Sequence, residues 1–482
     1  MPRTVLLWLS LFSIVLQFFI AAPLTVQAIE PWAENAWYWS NDGQPVMLLG
    51  GSDDDNLFQW PSEKLLPQLD RIASAGGNVI RNTMSDRQDQ GFELYPFLRL
   101  DAGQFDLSQW NDAYWERLQR LLEETQRRKI FVQIEIWDRF DFTDSSKRKD
   151  GSGHWQHQPY NPANNVNYSA QESGLAERYP DHPGANKQPF FFTTPKQRNN
   201  ATLLTFQQAF VNRLLDHTLG YDHVLYCIDN ETNGEAEWAE YWAQLLHRRA
   251  ADAGKTIMVT EMWDDWNLQA ERHRRTFDRS DLYSYVDVSQ NNHNRGQKHW
   301  DNFLFVRKYL QTKPRPMNTT KTYGADGNKF KHTDQDAIER FWRHLLAGAS
   351  SIRFHRPGSG LGINDKAVAC IQAARTVELQ VPFWSVDPAN DLLSQRDDNE
   401  AYAAVNAEHS LALVYFPASQ AKREVQIELA TSPSGHEIHW IGIDLDNQTN
   451  SAALTTTTNA QPLTLAPPID GNVVAIIKRS DN

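Results

Sequence analysis

Short apolar runs alternate with amphipathic helical segments along most of the chain, which is typical of buried parallel strands joined by helices. Eight runs predict strands, at residues 46–50, 78–82, 129–136, 224–228, 256–260, 284–288, 315–320 and 351–356. The segments between and after them predict helices at residues 61–76, 110–128, 203–219, 235–253, 300–310, 334–346 and 366–379. This alternation predicts an α/β fold, a (β/α)8 TIM barrel.

An open, doubly wound sheet is the other fold with this alternation. It would need a glycine-rich phosphate loop after an early strand, and the only candidate is GGSDDD at residues 50–55. Three consecutive aspartates would repel a phosphate, so the sequence favours the barrel.

The pattern changes at about residue 386, where short alternating strands replace the helices. These strands are expected at residues 402–406, 411–416, 424–429, 436–443 and 472–478, separated by turn-forming and Thr-rich stretches. The change predicts a small antiparallel β-sandwich over residues 386–482, after a barrel domain over residues 29–385.

A long polar and aromatic insertion, residues 139–200, interrupts the barrel after its third strand. Loops of this length inside a domain are usually functional or disordered. Its aromatic residues favour a structured lid, and the alternative is a loop that only packs against the scaffold.

The N-terminus has the features of a secretory signal. Arg3 precedes an apolar run at residues 5–20, and Val26-Gln27-Ala28 resembles a cleavage site. We therefore predict a signal peptide over residues 1–28 and a secreted or periplasmic protein without a stable membrane anchor. A retained anchor is the alternative, but the run is short for a spanning helix.

Composition narrows the classes of function. The 482-residue chain has a formal net charge of −13, which argues against nucleic acid or an anionic membrane as partner. Its 17 Trp residues would suit a large core or the stacking of sugar rings. Two cysteines, Cys227 and Cys370, could pair but form no disulfide framework, and no Cys and His spacing predicts a metal site or another cofactor.

The polar residues that follow the predicted strands are the candidate site, because the strand ends of such a barrel converge on one mouth. Residues 224–231 show this most clearly, since the apolar run VLYCI passes directly into Asp229, Asn230 and Glu231. Carboxylates, amides, Arg and Trp at this mouth predict a cleft for a carbohydrate. The predicted substrate-binding residues are Asp54, Arg81, Trp137, Asn230, Trp263, Asp265, Asn291, Lys321, Tyr323, Arg353, His355 and Arg356.

These segments resemble the apiosidase-like barrel family of glycoside hydrolases. The resemblance lies in LLGG at residues 48–51 with Asp54, ASAGGNVI at residues 73–80, the fourth strand ending in Asn-Glu, Trp440, and DGNVVAIIK at residues 470–478. It implies a (β/α)8 barrel with a C-terminal β-sandwich, hydrolysis of glycosidic bonds, Glu231 as catalytic acid/base and Asn230 as a contact to the sugar. From the residues alone, a part-buried Glu231 is expected to have the raised pKa of a general acid, and its alternative role is to cap the following helix.

The chain departs from this family at the seventh strand, where relatives place a nucleophilic Glu. Residues 316–324 read PMNTTKTYG, and the next carboxylate is Asp326. Three explanations stay open: another strand supplies the second carboxylate, the enzyme inverts through a more distant base, or the chain binds sugar without cutting it. Glu261, Asp138 and Asp264 are the candidates for the second carboxylate, with Glu261 the first choice.

Four of the predicted binding residues would add positive charge to the mouth, namely Lys321, Arg353, His355 and Arg356. Arg and Lys suit carboxylate or sulfate groups, so an anionic sugar is one hypothesis. Neutralisation of neighbouring aspartates is the other.

The sequence thus predicts an exported glycoside hydrolase, with Glu231, Glu261 and Asp138 as catalytic residues and with no metal or cofactor. The alternatives are a non-catalytic carbohydrate-binding protein on a degenerate barrel and a structural protein of the cell surface. A second carboxylate facing Glu231 at ~5–10 Å would favour the enzyme.

Overall fold

The computed structural model describes residues 28–85, 90–325, 330–420, 423–443, 454–458 and 460–480. The predicted signal peptide, apart from Ala28, lies outside the described residues, as does Asp326. No helix within these ranges is both long and apolar enough to cross a membrane.

Eight parallel strands follow one another around a barrel in chain order: β1 (Leu48–Gly51), β2 (Val79–Thr83), β3 (Phe131–Asp138), β4 (Val224–Asn230), β5 (Met258–Thr260), β6 (Val286–Asp287), β7 (Met317–Thr322) and β8 (Ser351–Phe354). β8 pairs with β1. Between β5 and β6, the Ser284 N–H donates to the Val259 carbonyl at 3.0 Å, which closes the ring. The predicted TIM barrel is confirmed.

The helices that surround the barrel are α1 (Ser62–Ser74), α2 (Asp112–Arg127), α3 (Ala201–Thr218), α4 (Ala236–Asp252), α5 (Glu271–Phe277), α6 (Gly296–Tyr309), α7 (Asp334–Ala347) and α8 (Asp365–Glu378). Seven of them were predicted within a few residues, and α5 was not. Its sequence, ERHRRTF, has no apolar stripe, because Phe277 is its only large apolar residue. In the structure Phe277 is buried together with His273 and Thr276.

The barrel interior is layered from apolar to polar. At the amino ends of the strands lies a closed apolar layer that contains Leu48, Val79, Phe131, Leu225, Met258 and Tyr285. Trp39 packs in this layer and donates its Nε1–H to the Asn318 Oδ1 at 2.9 Å. Because side chains alternate along a strand, the residues two positions further on face the same interior. One of these is Gly50, and the other five are polar or ionisable, namely Arg81, Gln133, Cys227, Thr260 and Asp287.

Two smaller features were not predicted as sheets. The N-terminal strands Glu30–Pro31, Trp39–Asn41 and Gln44–Val46 form an antiparallel sheet that brings Trp39 to the barrel base. Strands Phe97–Arg99 and Phe105–Trp110 form a hairpin before α2. Cys227 and Cys370, both buried, are not joined by a disulfide.

The insertion after β3 is built from short helical turns: Arg139–Phe142, His154–His157, Ala170–Ser173, Pro183–Ala185 and Pro189–Phe192. Its aromatic side chains hold it against the outside of the barrel. Phe142 stacks on Phe190 with ring centroids 4.1 Å apart, and Phe190 contacts Trp137 at 5.5 Å. Most of the insertion therefore packs against the scaffold.

The C-terminal region is a two-sheet antiparallel sandwich. One sheet has six strands: Asp387–Pro388, Tyr402–Val405, Leu411–Phe416, Val473–Arg479, His436–Gly442 and Leu454–Thr458. The other has three: Leu393–Ser394, Val425–Ile427 and Leu463–Leu465. Apolar residues from both sheets share one core, which confirms the predicted β-rich region. The four strands that were not predicted are short or lie in Thr-rich sequence.

Helix α7 lies between the barrel and the sandwich, and every residue from Ala337 to Ala347 is buried. Trp342 stacks on Tyr415 of the sandwich at 5.9 Å. Gln335 and Asn472 exchange hydrogen bonds of 2.8 and 2.9 Å. The interface thus combines apolar packing with paired polar groups.

The ion pair between Glu339 and Arg343 is the buried charged element of this interface, at 2.9 Å with both side chains almost fully covered. We expect Glu339→Ala to lower the free energy of unfolding by about 3–5 kcal/mol, because Arg343 would lose its carboxylate partner. Urea denaturation followed by fluorescence checks this. Glu63→Ala, at an exposed position of α1, is the matched control and should change stability by less than about 0.5 kcal/mol. Equal effects of the two substitutions would contradict a structural role for the pair.

Candidate active site

A cavity of about 470 Å³ opens at the carboxyl ends of the strands. Residues at or after β1, β2, β4, β5, β6, β7 and β8 line it, so the strand ends do converge on one mouth. The lining includes Asp55, Arg81, Asn230, Glu231, Asp264, His293, Lys321, Tyr323, His355 and Arg356. The insertion adds Phe140, Ser146 and His182, and the loops after β7 and β8 add Phe330, His332 and Ser359.

Glu231 is held at this mouth by three donors. Lys321 Nζ lies 2.5 Å from its Oε1, the Tyr323 hydroxyl donates to the same oxygen at 3.0 Å, and Gln290 Nε2 donates at 3.1 Å. In the described part of the chain no hydrogen bond uses Oε2, which leaves this oxygen for a substrate. Glu231 also has a left-handed backbone with φ of 53°, a conformation that costs a non-glycine residue about 1–3 kcal/mol and often marks functional sites.

The charge of Glu231 differs from the expectation. Burial raises the pKa of Glu231, but the Lys321 ammonium and its hydrogen bond outweigh burial and hold the pKa below its ordinary value. The expected raised pKa of a general acid is therefore wrong, because Lys321 is a partner that the local sequence does not reveal. Glu231 is a carboxylate in the free protein.

Asn230 is fixed between two of the predicted site residues. It accepts a hydrogen bond from Lys321 Nζ at 2.5 Å and donates through Nδ2 to the Asp138 Oδ1 at 3.0 Å. Asp138 also accepts from the Phe140 N–H at 3.1 Å and does not line the cavity. The structure thus places Asp138 behind Asn230, where it orients the amide.

Asp264 is the second carboxyl group beside Glu231. The Thr232 N–H donates to the Met262 carbonyl at 2.8 Å and the Asp264 N–H donates to the Thr232 carbonyl at 2.9 Å, which joins the ends of β4 and β5. Asn233 Nδ2 donates to the Asp264 Oδ2 at 2.7 Å. Burial and the negative charge of Glu231 raise the pKa of Asp264. The two carboxyl groups therefore have pKa values shifted in opposite directions.

Asp55 is surrounded by three arginines and a histidine, and it serves as the counterion of the arginines. Arg81 lies 2.7 Å from it, Arg356 2.9 Å, Arg353 3.3 Å and His355 3.5 Å. Burial raises the pKa of Asp55, but Arg81 and the other cations hold it well below the ordinary value. Asp55 is thus ionised and offsets one of these positive charges, which agrees in part with the second hypothesis for that sector.

The predicted carboxylates Glu261 and Asp54 lie outside this cavity. Glu261 is fully buried, accepts from the Met262 N–H at 3.0 Å, and has a pKa raised by burial and by the charge of Asp229. Asp54 accepts from the Trp60 Nε1–H at 2.9 Å. In the loop after β1, Asp54 is held by Trp60, whereas Asp55 lines the cavity beside Arg81.

Four further predicted binding residues are structural. Trp137 packs among Phe190, Phe210, Trp238 and Trp242 on the outside of the barrel. The indole of Trp263 donates to the Thr276 hydroxyl at 2.7 Å.

The other two are polar. Asn291, fully buried, donates to the His299 carbonyl at 2.8 Å. Arg353, also fully buried, donates to the Thr320 carbonyl at 2.9 Å. None of these four residues lines the cavity.

A second and more open cavity of about 560 Å³ lies beside the first, and Asp264 and His293 line both. The predicted residue Asp265 lies here, with Trp266, Gln290 and Lys298 among its neighbours. Sequence reasoning missed His182, Phe330 and Trp266, since no strand pattern aligns the loops that carry them. Within the described ranges, no three His, Cys, Asp or Glu side chains converge closely enough to hold a metal ion.

The backbone carbonyl of Tyr323 links the mouth to α7. It accepts from Arg340 Nη1 at 2.9 Å, and Arg340 Nε donates to the Asn294 carbonyl at 3.0 Å. Arg340 is fully buried and thus fixes the loops after β6 and β7 together.

A family model described as a domain of unknown function, DUF6298, matches residues 100–276, which include Glu231 and Asp264. No curated protein matches the sequence. A solved glycoside hydrolase family 5 protein from Bacteroides vulgatus is similar, with a TM-score of 0.60, 12% identity and 94% of each chain covered. Another glycoside hydrolase also gives 0.60 at 12% identity, covering 95% of this chain and 98% of its own.

A glycoside hydrolase family 5 mannosidase from Rhizomucor miehei gives a TM-score of 0.50 at 12% identity, covering 74% of this chain and 99% of its own. Likeness at this identity concerns the fold, and membership of the apiosidase-like family stays a prediction. The chain has the fold of (β/α)8 glycoside hydrolases.

Proposed function

We propose that this protein is a glycoside hydrolase in which Glu231 and Asp264 form the catalytic pair. The observation that carries the proposal is that both carboxyl groups line one cavity, on adjoining strand ends, with their pKa values shifted in opposite directions. Such a pair can keep one group ionised and the other protonated at the same pH. Glycosidic bond cleavage needs these two states together.

Asp264 acts as the general acid. It donates its proton to the glycosidic oxygen as the bond between that oxygen and the anomeric carbon breaks. The Glu231 carboxylate supplies the other half of the reaction, either by attacking the anomeric carbon or by deprotonating the water that attacks it. Its Oε2 is the reacting oxygen, since Oε1 is held by Lys321, Tyr323 and Gln290.

Arg356 favours an acidic sugar in the first cavity. Its Nε is paired with Asp55 at 2.9 Å, but in the described part of the chain no hydrogen bond or ion pair uses its two terminal nitrogens. The side chain is one-third exposed and lines the cavity. A guanidinium with two open donors suits a carboxylate or sulfate group on the substrate.

One observation favours a second candidate function, sugar binding without cleavage. The Lys321 ammonium lies directly against Glu231, on the strand where the apiosidase-like family places its nucleophile. A lysine there could serve to neutralise a carboxylate that no longer reacts. Binding of saccharides by the wild type with no product formed would establish this function instead.

The catalytic pair is tested with Glu231→Gln and Asp264→Asn on a panel of plant and microbial polysaccharides. The panel includes mannans, because one structural neighbour is a mannosidase. Each substitution should lower kcat on the cleaved polysaccharide by about 10²–10⁴-fold, the contribution of one acid or base. Glu237→Gln, exposed on α4, is the control and should leave kcat unchanged.

The two roles are separated with 4-nitrophenyl glycosides of the same sugar. Their leaving group departs without a proton, so Asp264→Asn should lose much less activity on them than on the polysaccharide. Glu231→Gln should lose the same factor on both substrates. The reverse pattern would assign the acid to Glu231, and unchanged turnover by either variant would remove that residue from the mechanism.

Lys321→Met should move the acidic limb of the kcat/KM profile to higher pH. Activity needs ionised Glu231 and falls as the pH drops through its pKa, and without the ammonium burial would raise that pKa. Tyr323→Phe, which removes one hydrogen bond, should shift the limb in the same direction by less. An acidic limb that stays in place in Lys321→Met would show that another group controls it.

Arg356→Gln should lower kcat/KM about tenfold or more on glycans with carboxylate or sulfate groups and change it little on neutral glycans, because a charged hydrogen bond contributes about 1.5–3 kcal/mol. Wild-type activity on the acidic glycans should also decrease with added salt. Equal losses on acidic and neutral glycans would exclude an anion-binding role.

A further inference from the structure

Trp266 is an exposed tryptophan beside the catalytic cavity. Its side chain is 51% exposed, and it lines the second cavity. Among the described residues, five large apolar side chains are exposed, and two of these, Trp266 and Phe330, line the two adjoining cavities. A single exposed apolar side chain is ordinary, but several of them around a cavity indicate a binding surface.

We infer that the second cavity is a saccharide subsite for the leaving group, with Trp266 as the platform on which a sugar ring stacks. The assignment of the second cavity to the leaving group, and of the first to the sugar that is attacked, rests on the proposed function. Asp264, the acid that protonates the leaving oxygen, lines both cavities, whereas Glu231 lines only the first. The sugar whose anomeric carbon reacts therefore lies in the first cavity, and the departing sugar lies in the second.

The platform is held in place by its backbone. The Trp266 carbonyl accepts from Asn294 Nδ2 at 2.8 Å and from Asn302 Nδ2 at 3.2 Å. The Lys298 ammonium lies 4.2 Å from the ring centroid. With its backbone anchored in this way, Trp266 has less conformational freedom to lose when a ligand stacks on the exposed part of its ring, which favours binding.

Polar groups around Trp266 match the hydroxyls of a sugar. Asp265 and Arg272 are paired at 3.3 Å, and both line the second cavity with Gln290 and Lys298. These side chains offer donors and acceptors at the edge of the platform. The leaving group is therefore a further sugar unit rather than a small alcohol, and the substrate class is an oligosaccharide or polysaccharide that spans both cavities.

Trp266→Ala tests the subsite, with Trp266→Phe as the conservative variant and Leu379→Ala as the control. Leu379 is 89% exposed and follows α8, at the opposite end of the barrel. Binding is measured by calorimetry with gluco-, manno-, xylo- and galacturono-oligosaccharides of increasing length, in the wild type and in a Glu231→Gln background that prevents turnover. Circular dichroism confirms that each variant is folded.

Trp266→Ala should weaken binding of the longer oligosaccharides about tenfold, since one aromatic contact contributes up to about 1.5 kcal/mol. Trp266→Phe should retain most of the affinity, and Leu379→Ala should change nothing. Where cleavage occurs, kcat/KM on oligosaccharides should fall by the same factor. It should change little on the glycosyl fluoride of the same sugar, whose leaving group is too small to reach Trp266.

Unchanged oligosaccharide binding by Trp266→Ala would overturn the subsite. Equal losses on oligosaccharides and on the glycosyl fluoride would overturn its assignment to the leaving group. If the wild type cleaves nothing but Trp266→Ala still weakens binding, the saccharide subsite stands and the proposed hydrolysis fails.

Discussion

The contact between the Lys321 ammonium and the Glu231 carboxylate sets the chemistry of the barrel mouth. Two opposite charges in a part-buried site interact more strongly than in water, which keeps Glu231 ionised although burial opposes it. Burial and the charge so maintained then raise the pKa of Asp264. Lys321 also binds Asn230, so the one ammonium fixes both the position of the amide and the charge of Glu231.

The barrel could be predicted because buried parallel strands leave continuous apolar runs, and the mouth because strand ends converge. Asn230, Glu231, Lys321 and Tyr323 were found in this way, since they lie at the ends of β4 and β7. Which of several adjacent polar residues faces the axis could not be predicted. Asp54 and Asp55 are neighbours in the loop after β1, where no strand periodicity applies, and only Asp55 reaches the cavity.

The charge of Glu231 and the exposure of the tryptophans could not be predicted, because they depend on residues far away in the sequence. Glu231 and Lys321 are 90 positions apart, so the depressed pKa of Glu231 depends on a contact that no local pattern encodes. Trp137 looked like a sugar platform from its place at a strand end, yet the aromatic residues of α3, α4 and the insertion cover it. Trp266, in a loop without periodicity, is exposed instead.

Helix α7 touches the sandwich on one side and the mouth on the other. Its Trp342 packs on Tyr415, while Arg340, two residues earlier, donates to backbone carbonyls of the loops after β6 and β7. A buried helix cannot tilt without repacking both neighbours. The sandwich therefore acts as a mechanical support for Tyr323, so substitutions in the sandwich, far from the cleft, would slightly displace the hydroxyl that holds Glu231.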